Sequence, residues 1–253
     1  MKKKILITRK LLKENEDKLK ELFDVKLNVN DEIYTADKIL ELSKDCDGIL
    51  CAVTDKFNNE LINKLSPSIK IIANYAVGYG NIDVNAAKEK NIVVTNTPEV
   101  LDDSTADVSI LLLLGASRKV LEARRAAERQ DWKWSADFML GKQMSNKRLG
   151  ILGMGRIGRA VAKRARGFNM EIHYHNRSQL SKDLEQGAVY HKTVKDLFNC
   201  SDFLSINCPA TKETNKIINK ETLAFLPDNA VIGNAARGDV VDDEAMIEAL
   251  KSK

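Results

Sequence analysis

The sequence predicts an α/β protein with two domains, each built on a doubly wound parallel sheet. Three observations lead to this fold class. Short apolar runs alternate with amphipathic stretches through the first part of the chain, the same alternation resumes near Arg148, and a long helical segment separates the two regions. Strands that alternate with helices favour a parallel sheet with helices on both faces.

In the first region, apolar runs predict strands, and the stretches between them carry apolar residues at helical spacing. The predicted strands are "KKILIT", "DGILCA", "IKIIANYA" and "NIVVTN", and the predicted helices cover 14–23, 35–43, 58–65 and 83–90. A long helix is then predicted over about 103–127, with a break near Arg118. Asp102, Asp103 and Ser104 are expected to cap its N-terminus, where side-chain oxygens and negative charge are favourable.

The second region repeats the pattern. The segments "RLGILGMG", "EIHYHN", "AVY", "DFLSINCP" and "NAVIGNAARG" predict strands, and "RIGRAVAKRARGF" predicts a helix. We therefore place a first domain at 1–99 and a second at 100–253, with the long helix leading into the second.

Composition excludes several classes of protein. The 253 residues carry 40 basic and 36 acidic side chains for a net charge of +4, without a basic block that would indicate nucleic-acid binding. The longest apolar run, "VSILLLLGA", is well short of the roughly 20 residues that span a membrane. The apolar run "ILIT" near the start is too short for a signal peptide, and the four cysteines form no CxxC pair. We expect reduced thiols in a cytoplasmic protein.

The segment "GMGRIG" places Gly153, Gly155 and Gly158 in the G-x-G-x-x-G pattern. It follows an apolar strand and opens a helix, which is the context that indicates a dinucleotide site. The first glycine makes the tight turn, the second lets the backbone approach a pyrophosphate, and the third allows close packing of helix and strand.

The residues after the second strand of this domain predict which cofactor binds. NAD enzymes usually carry an acidic residue about 20 positions beyond the glycines. Asn176 stands there, 18 residues past Gly158, and Arg177 and Ser178 follow. A neutral amide beside a cation and a hydroxyl suits a 2′-phosphate, so we expect NADP, with NAD as second choice. The alternative is that Arg177 is a solvated surface residue.

Two histidines, His173 and His175, share one face of the predicted strand "EIHYHN". A metal site would need more ligands, and the sequence places none nearby. We interpret both as strand residues and predict no metal.

Four stretches resemble the D-isomer-specific 2-hydroxyacid dehydrogenases: "NYAVGYGNIDV" with "VVTNTPEVLDDSTAD", then "LGILGMGRIGRAVAKRARGF", "INCPATKETNKIIN" and "VIGNAARGDVVDDEAMIEAL". The likeness covers almost the whole chain. "HNRS" and "WSADFMLGK" resemble the glyoxylate/hydroxypyruvate reductase branch, which commonly prefers NADPH. The resemblance implies a flavodoxin-like substrate domain, a Rossmann domain and a homodimer that reduces a small 2-keto acid. The apolar "VSILLLLGA" and the two tryptophans of "DWKWSADF" agree with a dimer interface.

The resemblance also implies roles for individual residues. Arg237 is expected to hold the substrate carboxylate and keto oxygen, with help from the backbone amides of Val77 and Gly78. The cofactor contacts are expected to come from Arg156 and Ile157 over the pyrophosphate, Cys208 and Pro209 beside the adenine, and Ala235 and Ala236 at the nicotinamide. Plainer interpretations remain open: a strand-ending turn at Val77, a surface ion pair for Arg237 and an ordinary buried thiol for Cys208.

The family's general acid is a histidine, oriented by a glutamate, and both follow the arginine in sequence. Nothing between Arg237 and Lys253 matches either residue. We therefore expect the C-terminal part of the fold to be absent and the reductase activity of the 253-residue chain to be impaired. The alternatives are a non-enzymatic dinucleotide-binding or regulatory protein and an inactive fragment. Which 2-hydroxy acid is made is not predicted.

Overall fold

A computed structural model describes residues 2–130 and 132–252. The chain divides into two compact units, Met1–Val100 and Leu101–Lys253. Each unit has its own sheet and its own hydrophobic core. Asp131, the first residue of the segment "DWKWSADF", lies outside the described residues.

The first unit is a parallel sheet with helices between its strands. The described strands are β1 (Lys4–Ile7), β2 (Asp24–Lys26), β3 (Gly48–Ala52), β4 (Ile71–Tyr75) and β5 (Val93–Thr95). The described helices are α1 (Lys13–Leu22), α2 (Ala36–Ser43), α3 (Asn59–Lys64) and α4 (Val84–Glu89). The strand order β2-β1-β3-β4-β5 is the doubly wound order of flavodoxin-like sheets.

Capping side chains and buried residues account for α2, α3 and α4, whereas α1 has no side-chain cap and no buried residue. Thr35, Asn58 and Asp83 each accept a hydrogen bond from a backbone amide in the first turn of the helix that follows. Such caps satisfy amides that have no partner within the helix. Phe57 and Ile62 are completely buried in the core beneath the sheet.

The strand β2 was not predicted. It is a three-residue edge strand that pairs only with β1, in the register Lys4 to Asp24. Its sequence, "DVK", has no apolar run, because an edge strand does not need to bury both of its faces. Pairing with β1 rather than local propensity makes it a strand.

The predicted long helix consists of α5 (Asp102–Ser117) and α6 (Val120–Arg129). The chain breaks between them at Arg118 and Lys119, where Lys119 has a left-handed φ of 52°. The prediction of a break near Arg118 is confirmed.

The predicted capping of α5 is wrong. The helix begins one residue earlier than expected, so the N-cap is Leu101, which makes no side-chain hydrogen bond. Asp102 and Asp103 fall in the first turn instead, where negative charge is still favourable. Asp103 pairs with Arg164 at 3.0 Å, and the Ser104 hydroxyl donates to the Leu101 carbonyl oxygen.

The second unit is also a parallel sheet. Its described strands are β6 (Arg148–Leu152), β7 (Glu171–His175), β8 (Val189–Tyr190), β9 (Phe203–Ile206) and β10 (Val231–Asn234). After α5 and α6, its described helices are α7 (Arg156–Arg166), α8 (Lys182–Glu185), α9 (Val194–Asn199), α10 (Lys220–Leu223) and α11 (Asp243–Lys251). The order β10-β9-β6-β7-β8 reverses direction between β6 and β9. The predicted fold class is confirmed.

Small residues let helices lie close to this second sheet. On α7, Val161, Ala162 and Ala165 are completely buried. On β10, a Cβ added to Gly233 would lie 3.0 Å from the Leu113 side chain of α5, so the lack of a side chain at Gly233 favours that close approach. Among residues 2–130 and 132–252, every helix is too short or too polar to cross a lipid bilayer.

Candidate functional site

The glycine-rich turn joins β6 to α7. Gly153 has a φ of 97°, a conformation that side chains disfavour. A Cβ on Gly153 would lie 2.6 Å from the Cys208 backbone nitrogen, and one on Gly158 would collide with the Gly153 carbonyl oxygen. A Cβ on Gly155 would meet nothing of the described chain within 4 Å. The chain itself therefore requires glycine at the first and third positions, whereas the space beside Gly155 is open to a ligand.

The N-terminus of α7 begins at that open space. Its N-cap is Gly155, which has no side chain to satisfy the amides of the first turn. That turn carries no acidic residue among its described positions and begins with the exposed Arg156, followed by the half-buried Ile157. A helix N-terminus without acidic side chains attracts phosphate groups. The turn therefore fits the pyrophosphate of a dinucleotide.

Asn176 supports the glycine-rich turn from the end of β7. Its Oδ1 accepts a hydrogen bond of 2.7 Å from the backbone nitrogen of Met154. The hydroxyl of Tyr190 donates to the Asn176 carbonyl oxygen at 3.3 Å, which restrains the same residue from β8. Asn176 thus has a positioning role that the sequence did not reveal, while its side-chain NH2 group remains available for a ligand.

Arg177 and Ser178 are exposed at the same end of the sheet. Within the described part of the chain, Arg177 makes no hydrogen bond or close ion pair. A hydrogen bond from Thr211 lowers the pKa of Glu213, and the positive charge of Arg177 lowers it further. Glu213 is therefore a described counter-charge that could compete with a phosphate for Arg177.

Cys208 and Pro209 follow β9, beside the glycine-rich turn. The Cys208 backbone lies against Gly153, and burial of the side chain raises the pKa of the Cys208 thiol. Pro209 is exposed, and its carbonyl oxygen accepts a hydrogen bond of 2.6 Å from Thr214. A buried thiol with a raised pKa is a poor nucleophile, so Cys208 shapes the turn rather than reacting.

The turn that carries Arg237 is held by Asn234, the last residue of β10. The Asn234 Oδ1 accepts from the Ala236 backbone nitrogen at 2.9 Å, and its Nδ2 donates to the Arg237 carbonyl oxygen at 2.9 Å. Arg237 is exposed, and its Nη1 donates to the Ala236 carbonyl oxygen at 2.9 Å. Ala235 and Ala236 are half-buried in this turn. The guanidinium therefore extends from a fixed backbone and keeps most of its donors for a ligand.

In the first unit, Val77 and Gly78 follow β4 in a turn that two asparagines hold. Asn96 donates to the Val77 carbonyl oxygen at 2.8 Å, and Asn74 donates to the Gly78 carbonyl oxygen at 2.9 Å. Both carbonyls are thus engaged, whereas the two backbone amides donate to no group of the described chain. Two unpaired amides in one turn are suited to a carboxylate.

Motifs in the sequence did not predict the supporting residues Asn74, Asn96 and Asn234. One signal was available, because each asparagine stands close to the carboxyl end of a strand. Asparagine in that place commonly bonds the backbone of the turn that follows.

The three histidines do not lie near Arg237 within the sheet of the second unit. His173 and His175 belong to β7 and His191 follows β8, whereas Arg237 follows β10 at the other edge. Three strand spacings separate β7 from β10, or about 14 Å. The expectation that no further metal ligand lies near His173 was wrong, because His191 and Cys200 meet it in space.

Most of the predicted cofactor residues thus lie at the carboxyl ends of β6, β7, β9 and β10, at one end of one sheet. At this end of the sheet the strand order changes direction between β6 and β9, and doubly wound folds bind their ligands at such a point. Val77 and Gly78 lie in the first unit.

Comparisons with known proteins agree with this geometry. Residues 110–253 match the family model "D-isomer specific 2-hydroxyacid dehydrogenase, NAD binding domain". The chain is 39% identical to a glyoxylate reductase of Pyrococcus furiosus over 99% of this chain and 76% of that protein. It is 37% identical to a glycerate dehydrogenase of Hyphomicrobium methylovorum over 99% of this chain and 79% of that protein.

A solved structure gives the same result. The NADPH-dependent glyoxylate/hydroxypyruvate reductase of Sinorhizobium meliloti, in complex with NADP and malonate, aligns with a TM-score of 0.87 and 31% identity. The alignment covers 100% of this chain and 76% of that chain. The present chain therefore spans about three quarters of the length of these relatives.

Proposed function

The chain belongs to the D-isomer specific 2-hydroxyacid dehydrogenase family, and on this premise we propose that it reduces a small 2-keto acid to the D-2-hydroxy acid with NADPH. Relatives named glyoxylate reductase and glycerate dehydrogenase support a substrate of the glyoxylate or hydroxypyruvate type. In this proposal, residues 1–99 bind the substrate and residues 100–253 bind the nucleotide.

The observation that carries the proposal is the fixed turn of Arg237. It lies at the carboxyl ends of the strands, at the same end of the sheet as the glycine-rich turn. When bound, the reduced nicotinamide supplies a hydride to the keto carbon of the substrate. Arg237 binds the carboxylate and the keto oxygen, and its charge stabilises the negative charge that develops on that oxygen. The amides of Val77 and Gly78 donate to the carboxylate. A proton must still reach the keto oxygen.

We place the remaining cofactor contacts at the turns of the second unit. The amides at the start of α7 bind the pyrophosphate, with Arg156 and Ile157 covering it. Ala235 and Ala236 are small enough for the chain to pass close to the nicotinamide, and Cys208 and Pro209 line the adenine side. Asn176, Arg177 and Ser178 bind the 2′-phosphate of NADPH, which the relative solved with NADP supports as a cofactor.

A homodimer is part of the proposal. The apolar residues of α5 divide between a buried face with Ile110 and Leu113 and an exposed face with Val108 and Leu111. Leu111 is 66% exposed, and Val108 and Leu112 are exposed beside it on the same helix face, so the three form an apolar patch of the kind that a partner commonly covers. Four free cysteines agree with a cytoplasmic location, where thiols stay reduced.

Sedimentation of the purified chain tests the dimer. The wild type is expected to sediment as a dimer, and Leu111→Glu as a monomer, because a charge in an apolar interface is costly. Leu22→Glu is the matched control, since Leu22 is 58% exposed on α1. A monomeric wild type at high concentration would contradict the proposal.

The second candidate function is binding without catalysis. The observation that favours it is the position of the histidines near the β8 edge of the sheet, away from Arg237. A chain that binds NADPH and a carboxylate but lacks a proton donor at Arg237 would act as a dinucleotide-binding protein.

Arg237→Ala tests the main proposal, and oxalate binding with NADPH present serves as a readout independent of turnover. A hydrogen bond to a charged group contributes about 1.5–3 kcal/mol, so oxalate affinity should fall about 10- to 100-fold. The affinity for NADPH should not change. Arg237→Lys should recover only part of the loss, because a lysine cannot form the two-pronged contact.

Arg124→Ala is the control for removal of an arginine, since Arg124 is exposed on α6 and pairs with Glu128. Turnover of glyoxylate and hydroxypyruvate, measured as NADPH oxidation, then distinguishes an enzyme from a binding protein. Oxalate affinity that survives Arg237→Ala would refute the role of Arg237.

A further inference from the structure

Three side chains with metal-binding atoms converge in the second unit, away from the glycine-rich turn. His173 comes from the middle of β7, His191 follows β8, and Cys200 follows α9. The His173 Nδ1 lies 2.9 Å from the His191 Nε2, and the Cys200 Sγ lies 3.5 Å from that same nitrogen. All three potential ligand atoms lie within 4.8 Å of one another.

The fold creates this meeting point. His173 is the register partner of Gly150 on β6, so the two residues face the same side of the sheet. A Cβ on Gly150 would collide with the Ser201 hydroxyl, which places that side of the sheet against the end of α9. Cys200 directly precedes Ser201. Because Gly150 has no side chain, the end of α9 can occupy the space beside it.

The neighbouring groups orient His173 as a ligand. Its Nε2 lies 3.2 Å from the Glu171 carboxylate, although the alignment is short of a proper hydrogen bond. A proton on Nε2 faces that carboxylate and leaves the lone pair of Nδ1 directed at His191 and Cys200. A carboxylate behind a histidine is the usual support of a metal-binding imidazole. The His175 ring contacts the His191 carbonyl oxygen at 2.8 Å and restrains that loop.

We propose that His173, His191 and Cys200 form a site for a divalent transition-metal ion of the zinc class, with water as the fourth ligand. A Zn–N distance of about 2.0–2.1 Å and a Zn–S distance of about 2.3 Å place tetrahedral ligands about 3.3–3.6 Å apart. The observed separations of 2.9 and 3.5 Å are close to these values, and the His173 and Cys200 ligand atoms lie within 4.8 Å of each other, so a small movement of Cys200 would complete the tetrahedron. Two imidazoles and a thiolate suit Zn²⁺, and they exclude the oxygen-seeking Mg²⁺ and Ca²⁺.

Charge and protonation are compatible with this site. Burial lowers the pKa of His173 and of His191, so both rings are neutral at pH 7 and can ligate a metal. Burial raises the pKa of the Cys200 thiol, so metal binding must release its proton to solvent. Glu171 and Asp196 supply negative charge nearby. Arg148, a cation whose charge acts on His173 and Cys200, is bound to Asp202 at 3.0 Å.

An ion can reach the site and would join three elements. His173 is buried, whereas His191 and Cys200 are half-buried and open one side to solvent. Without metal, the His191 Nε2 proton can be donated to His173, and the Cys200 thiol can donate to the Leu197 carbonyl oxygen at 3.1 Å. Metal binding replaces these contacts with bonds that tie β7, β8 and α9 together. The proposed ion therefore stabilises the junction of these three elements.

Cobalt(II) and zinc titrations of the 253-residue chain test the proposal. The chelator-treated wild type should bind one Co²⁺ per chain, with thiolate-to-cobalt charge-transfer absorption that Zn²⁺ abolishes by displacement. Zn²⁺ should raise the melting temperature and release about one proton from Cys200. Glu171→Gln should weaken Zn²⁺ binding about 10-fold, at the lower end for a supporting carboxylate, because Glu171 is largely exposed.

Cys200→Ser should abolish the absorption, whereas Cys46→Ser should retain it. Cys46 is a matched control because its thiol also contacts a backbone carbonyl oxygen, that of Leu42, in the other unit. If Cys200→Ser does not melt cooperatively, His191→Gln takes its place, because it removes a different ligand. No charge-transfer band in the wild type, or a band that survives both ligand substitutions, would overturn the proposal.

Discussion

Asn176 has a structural role, and in the proposed function the same side chain also helps to select the cofactor. Its Oδ1 holds the Met154 amide at 2.7 Å, which an aspartate could also do. An aspartate would, however, place a negative charge where the 2′-phosphate of NADPH is expected. The amide keeps the turn in place without that repulsion, and the exposed Arg177 beside it adds attraction.

Arg177→Ala is expected to weaken NADPH binding about 10- to 100-fold and to leave NADH binding nearly unchanged. The reason is that only NADPH carries the 2′-phosphate. Asn176→Asp should shift the preference in the same direction, since it keeps the acceptor for Met154 and adds a charge. Fluorescence titration with both cofactors measures the ratio. Equal losses for NADH and NADPH would show that Arg177 does not bind the phosphate.

In the turn between β6 and α7, one glycine is needed for folding and another leaves space for a ligand. Gly153 has a positive φ and touches the Cys208 backbone, whereas Gly155 has an extended conformation and open space beside it. The two residues are two positions apart, and alanine at each should therefore have a different effect.

Gly153→Ala is expected to lower the free energy of unfolding by about 1–3 kcal/mol or more, because it adds strain and a backbone collision. Gly155→Ala should change it by less than about 0.5 kcal/mol and yet weaken NADPH binding, since its methyl group occupies the phosphate space. Urea unfolding and cofactor titration measure the two effects. A stable Gly153→Ala protein would contradict the close packing of the β6 and β9 ends.

In helix α5, a residue that the sequence suggests as an N-terminal cap forms an ion pair with another helix instead. Three consecutive residues suited to capping, Asp102 to Ser104, precede the apolar stretch, yet none caps the helix. Asp103 and Asp107 instead bind Arg164 of α7. The capping signal was local, whereas the ion pairs depend on how α5 and α7 pack.

For the whole chain, the order of the strands decides which groups can cooperate. Arg237 follows β10 at one edge of the second sheet, and the three histidines of the chain lie on or after β7 and β8. A histidine at that distance cannot donate a proton to a keto oxygen that Arg237 holds, because proton transfer needs hydrogen-bond contact.

The 253-residue chain is therefore expected to bind NADPH and to reduce 2-keto acids slowly. A form extended by the C-terminal segment of the family should be at least about 100-fold faster, since a general acid contributes about 10²–10⁴-fold. Rates of NADPH oxidation with glyoxylate and hydroxypyruvate compare the two forms. Equal rates would mean that a proton donor is already present in this chain.

Local patterns in the sequence were sufficient for the fold class and for most elements of the described chain. Alternating strands and helices, the glycines of "GMGRIG" and the break near Arg118 all act through neighbouring residues, so periodicity and backbone conformation reveal them. Arg237, Val77 and Gly78 were found by resemblance, and their proposed roles await the experiments above.

Tertiary structure alone decided which distant groups meet. The strand β2 exists because β1 offers it a partner, and Asn176 supports Met154 because β7 lies beside β6. His173, His191 and Cys200 converge although up to 27 positions separate them in the sequence, from His173 to Cys200. Such contacts depend on strand order and register, which bring remote residues together without leaving a pattern among neighbours along the chain.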